Sequence, residues 1–219
     1  MKTVKFLAAL MMLTLSMSAM GQNAMQQKLK ESKAALKEKA SKDAKDEAKR
    51  MKKEGWTVSP GALPLEKQID RYFAFIQQVD DELNPLYLQG EGRATAESFA
   101  AAQMQATELA RLNLASSIGT EATGIIDNMI ANKMLADDQA ASITTYISEN
   151  KTIFSQKLGR VQTPLVATRQ LKNKNKEVIV RMVAKTSSIQ EIAKDAIRSQ
   201  LEAGGKELSE ELKAYFGKD

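Results

Sequence analysis

A chain of 219 residues with neither cysteine nor histidine has no disulfide framework, no thiol nucleophile, no histidine general base and no ordinary zinc ligand set. Its 32 Lys and Arg against 27 Asp and Glu give a formal charge of +5, and the excess is local. Residues 22–53 carry eleven basic and five acidic side chains, a net of +6, whereas residues 54–219 carry nineteen and twenty-two, a net of −3.

The first residues read as a secretory signal. Lys2 and Lys5 precede the apolar run from Phe6 to Leu15, and small residues follow at Ala19-Met20-Gly21, the order of basic, apolar and cleavage regions that export uses. A cut after Gly21 is expected, leaving 198 of the 219 residues with Gln22 first. The run is shorter than the roughly 20 apolar residues of a membrane-spanning helix, and no cysteine stands ready for lipid attachment. The expectation is a periplasmic protein with no transmembrane span, the alternative being secretion or a peripheral place on the outer membrane.

Residues 24–53 read as one basic helix of Ala, Lys, Glu, Gln and Met, about 45 Å long. Its stripe of Met25, Leu29, Leu36, Ala40, Ala44, Ala48 and Met51 is thin, so weak docking or none is expected. Gly55 stops it, and residues 56–61 read as a linker holding the lone Trp56, which is expected to pack on the following helix. That helix is placed from Leu65 to Leu83, with Pro64 before it and Asn84-Pro85 after it, and Leu65, Ile69, Tyr72, Phe73, Ile76, Val79 and Leu83 on one face.

Leu86 to Gly90 reads as a short strand running into Gly92. From Ala96 to about Ala131 the chain reads as mainly helical, with Ala102, Ala106 and Ala110 forming a small-residue face suited to close approach to a sheet. Gly119 and Gly124 weaken its far half, and residues 119–132 are left open between helix and strand. Asp137-Asp138 starts another helix with Ile143, Ile147, Phe154 and Leu158 as its stripe. Val161 to Gln170 and Glu177 to Lys185 form a hairpin, the second run alternating Val178, Val180, Met182 and Ala184 with Glu177, Arg181 and Lys185. Ser188-Ile-Gln-Glu191 reads as a capping box for a helix ending at Gly204-Gly205, and a last helix carries Leu208, Leu212, Tyr215 and Phe216.

Few residues invite chemistry. Gly90-Glu91-Gly92 lacks the third glycine of a dinucleotide loop, since position 95 is Thr95, and glycines there are expected to serve a tight turn out of the strand. Asp80-Asp81-Glu82 and Asp137-Asp138 lack the alternate spacing and turn glycine of a calcium loop and read as solvated helix-end charge. Lys172, Lys174 and Lys176 read as a solvated hairpin tip rather than a contact for phosphate or anionic lipid. The basic arm is read as a spacer, a partner helix or an electrostatic tether to an anionic polymer. No catalytic, cofactor-binding or metal-ligating residue is assigned, no cofactor is expected, and so few aromatics in an exported chain argue against nucleic acid.

Leu88-Gln-Gly-Glu-Gly92, the alanine-rich stretch from Ala101 to Ala115 and the hairpin ending in Val178-Ile-Val-Arg-Met182 resemble the LPP-twenty lipoprotein family of Gram-negative envelopes, over about Leu86 to Leu201. The resemblance implies a small α+β module, an envelope location and no known catalysis. This chain departs from the family in having no lipidated cysteine.

The fold class expected is α+β, with a small, mostly antiparallel sheet of one short strand plus a late hairpin, covered by helices and preceded by a long basic helix. The divisions expected are a signal at 1–21, an arm at 22–55, a linker at 56–61, the α+β domain at 62–203 and a C-terminal helix at 204–219. The function expected is that of a non-enzymatic envelope protein that binds or supports an envelope protein or an anionic envelope polymer. The alternative is a carboxylate-based hydrolase of a cell-wall or glycan substrate.

Overall fold

Residues 41–159, 161–204 and 210–217 are described by the structure, a computed structural model. Along them run α1 (Lys42–Lys53), α2 (Leu65–Ile76), β1 (Tyr87–Ala96), α3 (Phe99–Ala131), α4 (Asp137–Glu149), α5 (Lys151–Lys157), β2 (Gln162–Gln170), β3 (Lys176–Lys185), α6 (Thr186–Ala203) and α7 (Glu210–Phe216). The fold is α+β. The expected signal at 1–21, the arm up to Ala40 and Leu208 lie outside the described residues.

The three strands pair antiparallel in the order β1-β3-β2. Strand β3 is central, and because helices cover both faces of this sheet it needs apolar side chains on both. Val178, Val180, Met182 and Ala184 belong to the core cluster shared with α3, α4 and α6. The alternate residues Ile179 and Val183 are buried on the opposite face, which is the layer that α1 and α2 supply.

Helix α3 runs antiparallel to β1. Gly90 lies against Ala110 and Leu114, and Gly92 against Ala106 and Ala110. The alanine face at Ala102, Ala106 and Ala110 is fully buried, as its spacing predicts. The two glycines make no tight turn. They sit inside β1, where a Cβ at Gly92 would stand 2.0 Å from the Ala106 carbonyl oxygen. Their role is to let helix and strand backbones touch. The strand runs on to Ala96 rather than ending at Gly92.

Residues 119–131 are helical throughout. Ile118, Ala122, Ile126 and Met129 are buried, and that burial outweighs the helix cost of Gly119 and Gly124. The helix begun by Asp137-Asp138 breaks at Asn150, whose amide donates to the Tyr146 carbonyl at 2.8 Å, and α5 resumes at Lys151. The capping box at Ser188 does not form, because α6 already starts at Thr186. There the Thr186 N–H donates to Leu86 O at 3.0 Å and its hydroxyl to Pro85 O at 2.6 Å.

The basic arm and the linker are corrected most. Ser41 is the N-cap of α1, its hydroxyl accepting from the Ala44 N–H at 3.3 Å, so the helix ending at Lys53 starts at Lys42 rather than near residue 24. It does not dock weakly: Ala44, Ala48 and Met51 are buried, α1 packs on α2, and the Ser41 N–H donates to the Asp70 carboxylate at 3.0 Å. The Ser41 side chain first, and its N–H after it, hold the Asp70 carboxyl below the usual range. The body begins at Ser41, not after residue 55. Residues 56–61 are no free linker either. Thr57 exchanges backbone hydrogen bonds of 2.8 Å with Thr168 on the outer edge of β2, and the Gln68 side-chain Oε1 accepts from the Val166 N–H at 2.8 Å. That edge is thereby closed to stray pairing.

Candidate functional site

Helix α2 stops at Ile76, seven residues before Leu83, because the next residues find other partners. The Asp80 carboxylate accepts from the N–H of Glu82 at 2.9 Å and of Asn84 at 2.8 Å, and from the Asn84 amide at 3.2 Å. Asp80 N–H donates to Asn84 O at 2.9 Å, Leu83 N–H to Asp80 O at 3.0 Å and Leu86 N–H to Gln78 O at 2.9 Å. Val79 and Pro85 form an antiparallel bridge. The side chain competes with the helix for backbone donors and wins. The Asn84 N–H, above all, holds the Asp80 carboxyl below the usual carboxylate range.

This tie presents apolar side chains to water. Leu83 is 78% exposed, Val79 44% and Leu86 43%. They are three of the six large hydrophobic residues exposed among the described residues, gathered in eight positions of sequence. Leu83 is held at φ +66°, a left-handed conformation that costs a side-chain-bearing residue about 1–2 kcal/mol. Two other non-glycine residues among those described, Lys133 and Lys174, have positive φ. Both are lysines that keep a charged head in water; Leu83 gains nothing by exposure.

The loop forms one wall of a cleft of about 680 Å³ whose other walls are Glu121 of α3, the Lys185–Ser187 corner and Gln190 of α6. Tyr87, stacked edge-on to Phe75 at 4.9 Å, also borders it. The cleft contains two carboxylates, and donors hold both: Asp80 caps the loop, and Glu121 accepts from the Gln190 amide at 2.9 Å. Among the described residues no group of three or more acidic side chains is gathered as a metal site. Nor is any helix among them long and apolar enough to cross a membrane.

The other residues singled out by sequence take structural places. Asp137 and Asp138 occupy the first turn of α4. Lys172 and Lys174 are exposed at the hairpin tip, where Lys174 takes φ +68°, and Lys176 donates to Gln170 at 2.6 Å. Trp56, expected to pack on the following helix, is buried under arginines of β1 and β2. The guanidinium groups of Arg169 and Arg93 lie 4.7 and 5.6 Å from its ring, and its indole N–H donates to Glu54 at 3.3 Å. Arg169 is paired with Glu177 at 2.6 Å and Arg181 with Glu91 at 2.8 Å, with Arg181 also over Tyr72 at 5.0 Å. Arginines thus cover the rings of Trp56 and Tyr72 on one face of the sheet.

Sequence reading missed the loop because Val79 and Leu83 continue the stripe of α2. Asp80 with Asn84-Pro85 four residues later was the signal that could have found it. Comparison of the chain with protein-family models, with curated proteins and with solved structures gives no match.

Proposed function

We propose that the chain is an exported, non-enzymatic envelope protein whose 77–86 loop docks into another envelope protein. One observation carries this reading: an exposed Leu83 held in a conformation that glycine or asparagine would adopt more cheaply. A side chain kept at such a position against local stability has a use outside the fold. Asp81 and Glu82 beside it are exposed, so the partner surface that fits is an apolar socket with a basic rim. The engagement of Asp80 and Glu121 by hydrogen-bond donors supports the non-enzymatic reading over a carboxylate hydrolase. Export rests on the order of residues at Lys2 to Gly21, and the envelope setting on the resemblance to the LPP-twenty family.

The test is Leu83→Asn. Relief of the left-handed strain should raise stability by about 1 kcal/mol, while capture of the partner from the protein's own envelope should be lost. Equal capture of the same partner by wild type and variant would overturn the reading, as would a variant that loses capture by unfolding. Mature protein should begin at Gln22; recovery of Met1 on protein from the periplasmic fraction would sink cleavage after Gly21, and absence of the protein from that fraction would sink export.

A further inference from the structure

The docked helix α1 turns its lysines one way. Residues of a helix succeed one another by about 100°, so Lys42, Lys45, Lys49, Lys52 and Lys53 share an arc of about 100°, centred about 120° around the helix from the buried Ala44, Ala48 and Met51. Asp43 and Glu47 lie off that arc, and Asp46 borders it. Lys45, Lys49, Lys52 and Lys53 line a surface groove of about 570 Å³ with Ala48 and the single acid Glu66. Glu66 pairs with Lys52 at 3.0 Å. Lys42, Lys45, Lys49 and Lys53 have no ion pair among the described residues.

Basic residues in the last turn of a helix serve its dipole, which accounts for Lys52 and Lys53 but not for Lys42, Lys45 and Lys49. Nor is the array a floppy one. Ser41 caps the helix and ties it to Asp70, and three buried side chains fix its rotation. The helix therefore holds the lysine Cα atoms in a fixed row about 16 Å long, from which the flexible side chains reach over the groove. A row of like charges in a groove fits a chain-shaped anion better than a flat one.

We propose that this face of α1 is a binding site for a linear polyanion, a polymer carrying phosphate or carboxylate groups along its length. The proposal is independent of the reading of the 77–86 loop. Each ammonium that neutralises a charge of the polymer releases a condensed counterion, so binding weakens with salt in proportion to the number of lysines engaged.

The experiment uses the whole mature chain and inorganic polyphosphate as the probe, followed by titration calorimetry at several salt concentrations. Lys45→Gln/Lys49→Gln/Lys53→Gln is compared with Lys133→Gln/Lys172→Gln/Lys174→Gln, which removes the same charge elsewhere. Lys28, Lys30, Lys33, Lys37 and Lys39 remain in both, so their contribution cancels. The α1 variant should bind roughly tenfold or more weakly and lose about 2 from its log–log salt slope, while the control changes little. Lys45→Arg/Lys49→Arg/Lys53→Arg should keep the binding. Equal losses in the two glutamine variants would overturn the proposal, because net charge alone would then explain the binding. Tighter binding to phosphatidylglycerol vesicles than to polyphosphate, lost in the α1 variant, would overturn it too and make the face a lipid contact.

Discussion

Adding a single methyl group at Gly92 tests the central contact of the fold. A Cβ built there meets Ala106 O at 2.0 Å and Ala110 N at 2.4 Å, both backbone atoms, and ordinary contact begins at 3.4 Å, a shortfall of 1.4 Å. No side chain can swing aside, so α3 must back away from β1 or β1 must buckle. A gap of roughly 0.5–1 Å already forfeits a quarter to a half of the dispersion attraction between facing atoms. The face that would lose it includes Ala102, Ala106 and Ala110, all fully buried. Overpacking alone costs about 1–3 kcal/mol; adding the opened contact, Gly92→Ala should cost about 3–5 kcal/mol. For a chain of this size that lowers the thermal midpoint by about 6–20 °C. Gly124→Ala is the internal control. Nothing lies within 4 Å of a Cβ there, and in a helix interior the change should stabilise by about 0.5–1 kcal/mol. Urea unfolding followed by far-UV circular dichroism reads both signs, provided the denaturant slope is unchanged. If Gly92→Ala stays within about 0.5 kcal/mol of wild type, or Gly124→Ala is equally damaging, α3 does not ride on β1 as argued.

Two further outcomes are expected from the α1 and α2 layer. Gln68 is buried and bridges Leu63 O and the Val166 N–H, both at 2.8 Å, so Gln68→Ala should cost about 1–3 kcal/mol, and exchange of the Val166 amide should speed up. Unchanged exchange would show that the β2 edge is closed by something else. Truncation up to Ala40 should leave the unfolding midpoint of the body in place, whereas truncation up to Lys53 removes Ala44, Ala48 and Met51 from the core and should lower it clearly. Equal midpoints for the two truncations would return α1 to the status of a loose arm.

What was legible in the sequence was periodicity backed by burial. The alternation through Val178 to Ala184, the hairpin and the alanine face all survive because their side chains had one way to leave water. The errors share another cause. A stripe of alanines buries little area, which made α1 look undocked, yet small side chains let it lie close on α2. Gly90 and Gly92 announce backbone freedom, but whether that freedom serves a turn or a close approach depends on α3, a dozen or more residues away. Ser188 offered a cap that the chain did not need, because Thr186 had already found Leu86 and Pro85. In each of these three a long-range partner overrides a local preference, whereas the 77–86 loop was missed to a local one, Asp80 bonding Glu82 and Asn84.

The same contrast separates Leu83 and the lysine face from the rest of the molecule. Where the fold needs a side chain absent, the chain has glycine, at Gly90 and Gly92; where Asp80 ties the 78–86 turn, Asn84 and Pro85 suit their places. At position 83 the backbone asks for glycine or asparagine, and the residue is leucine, facing water. Along α1 the fold needs only Ala44, Ala48 and Met51; the acids Asp43, Asp46 and Glu47 gather on one side of the exposed surface, and an arc of about 100° on the other carries lysine alone. Local stability explains neither choice. Both sites lie outside the two packed faces of the sheet, so altering them leaves the core intact. Their variants should therefore lose binding at unchanged or increased stability, the reverse of what Gly92→Ala does.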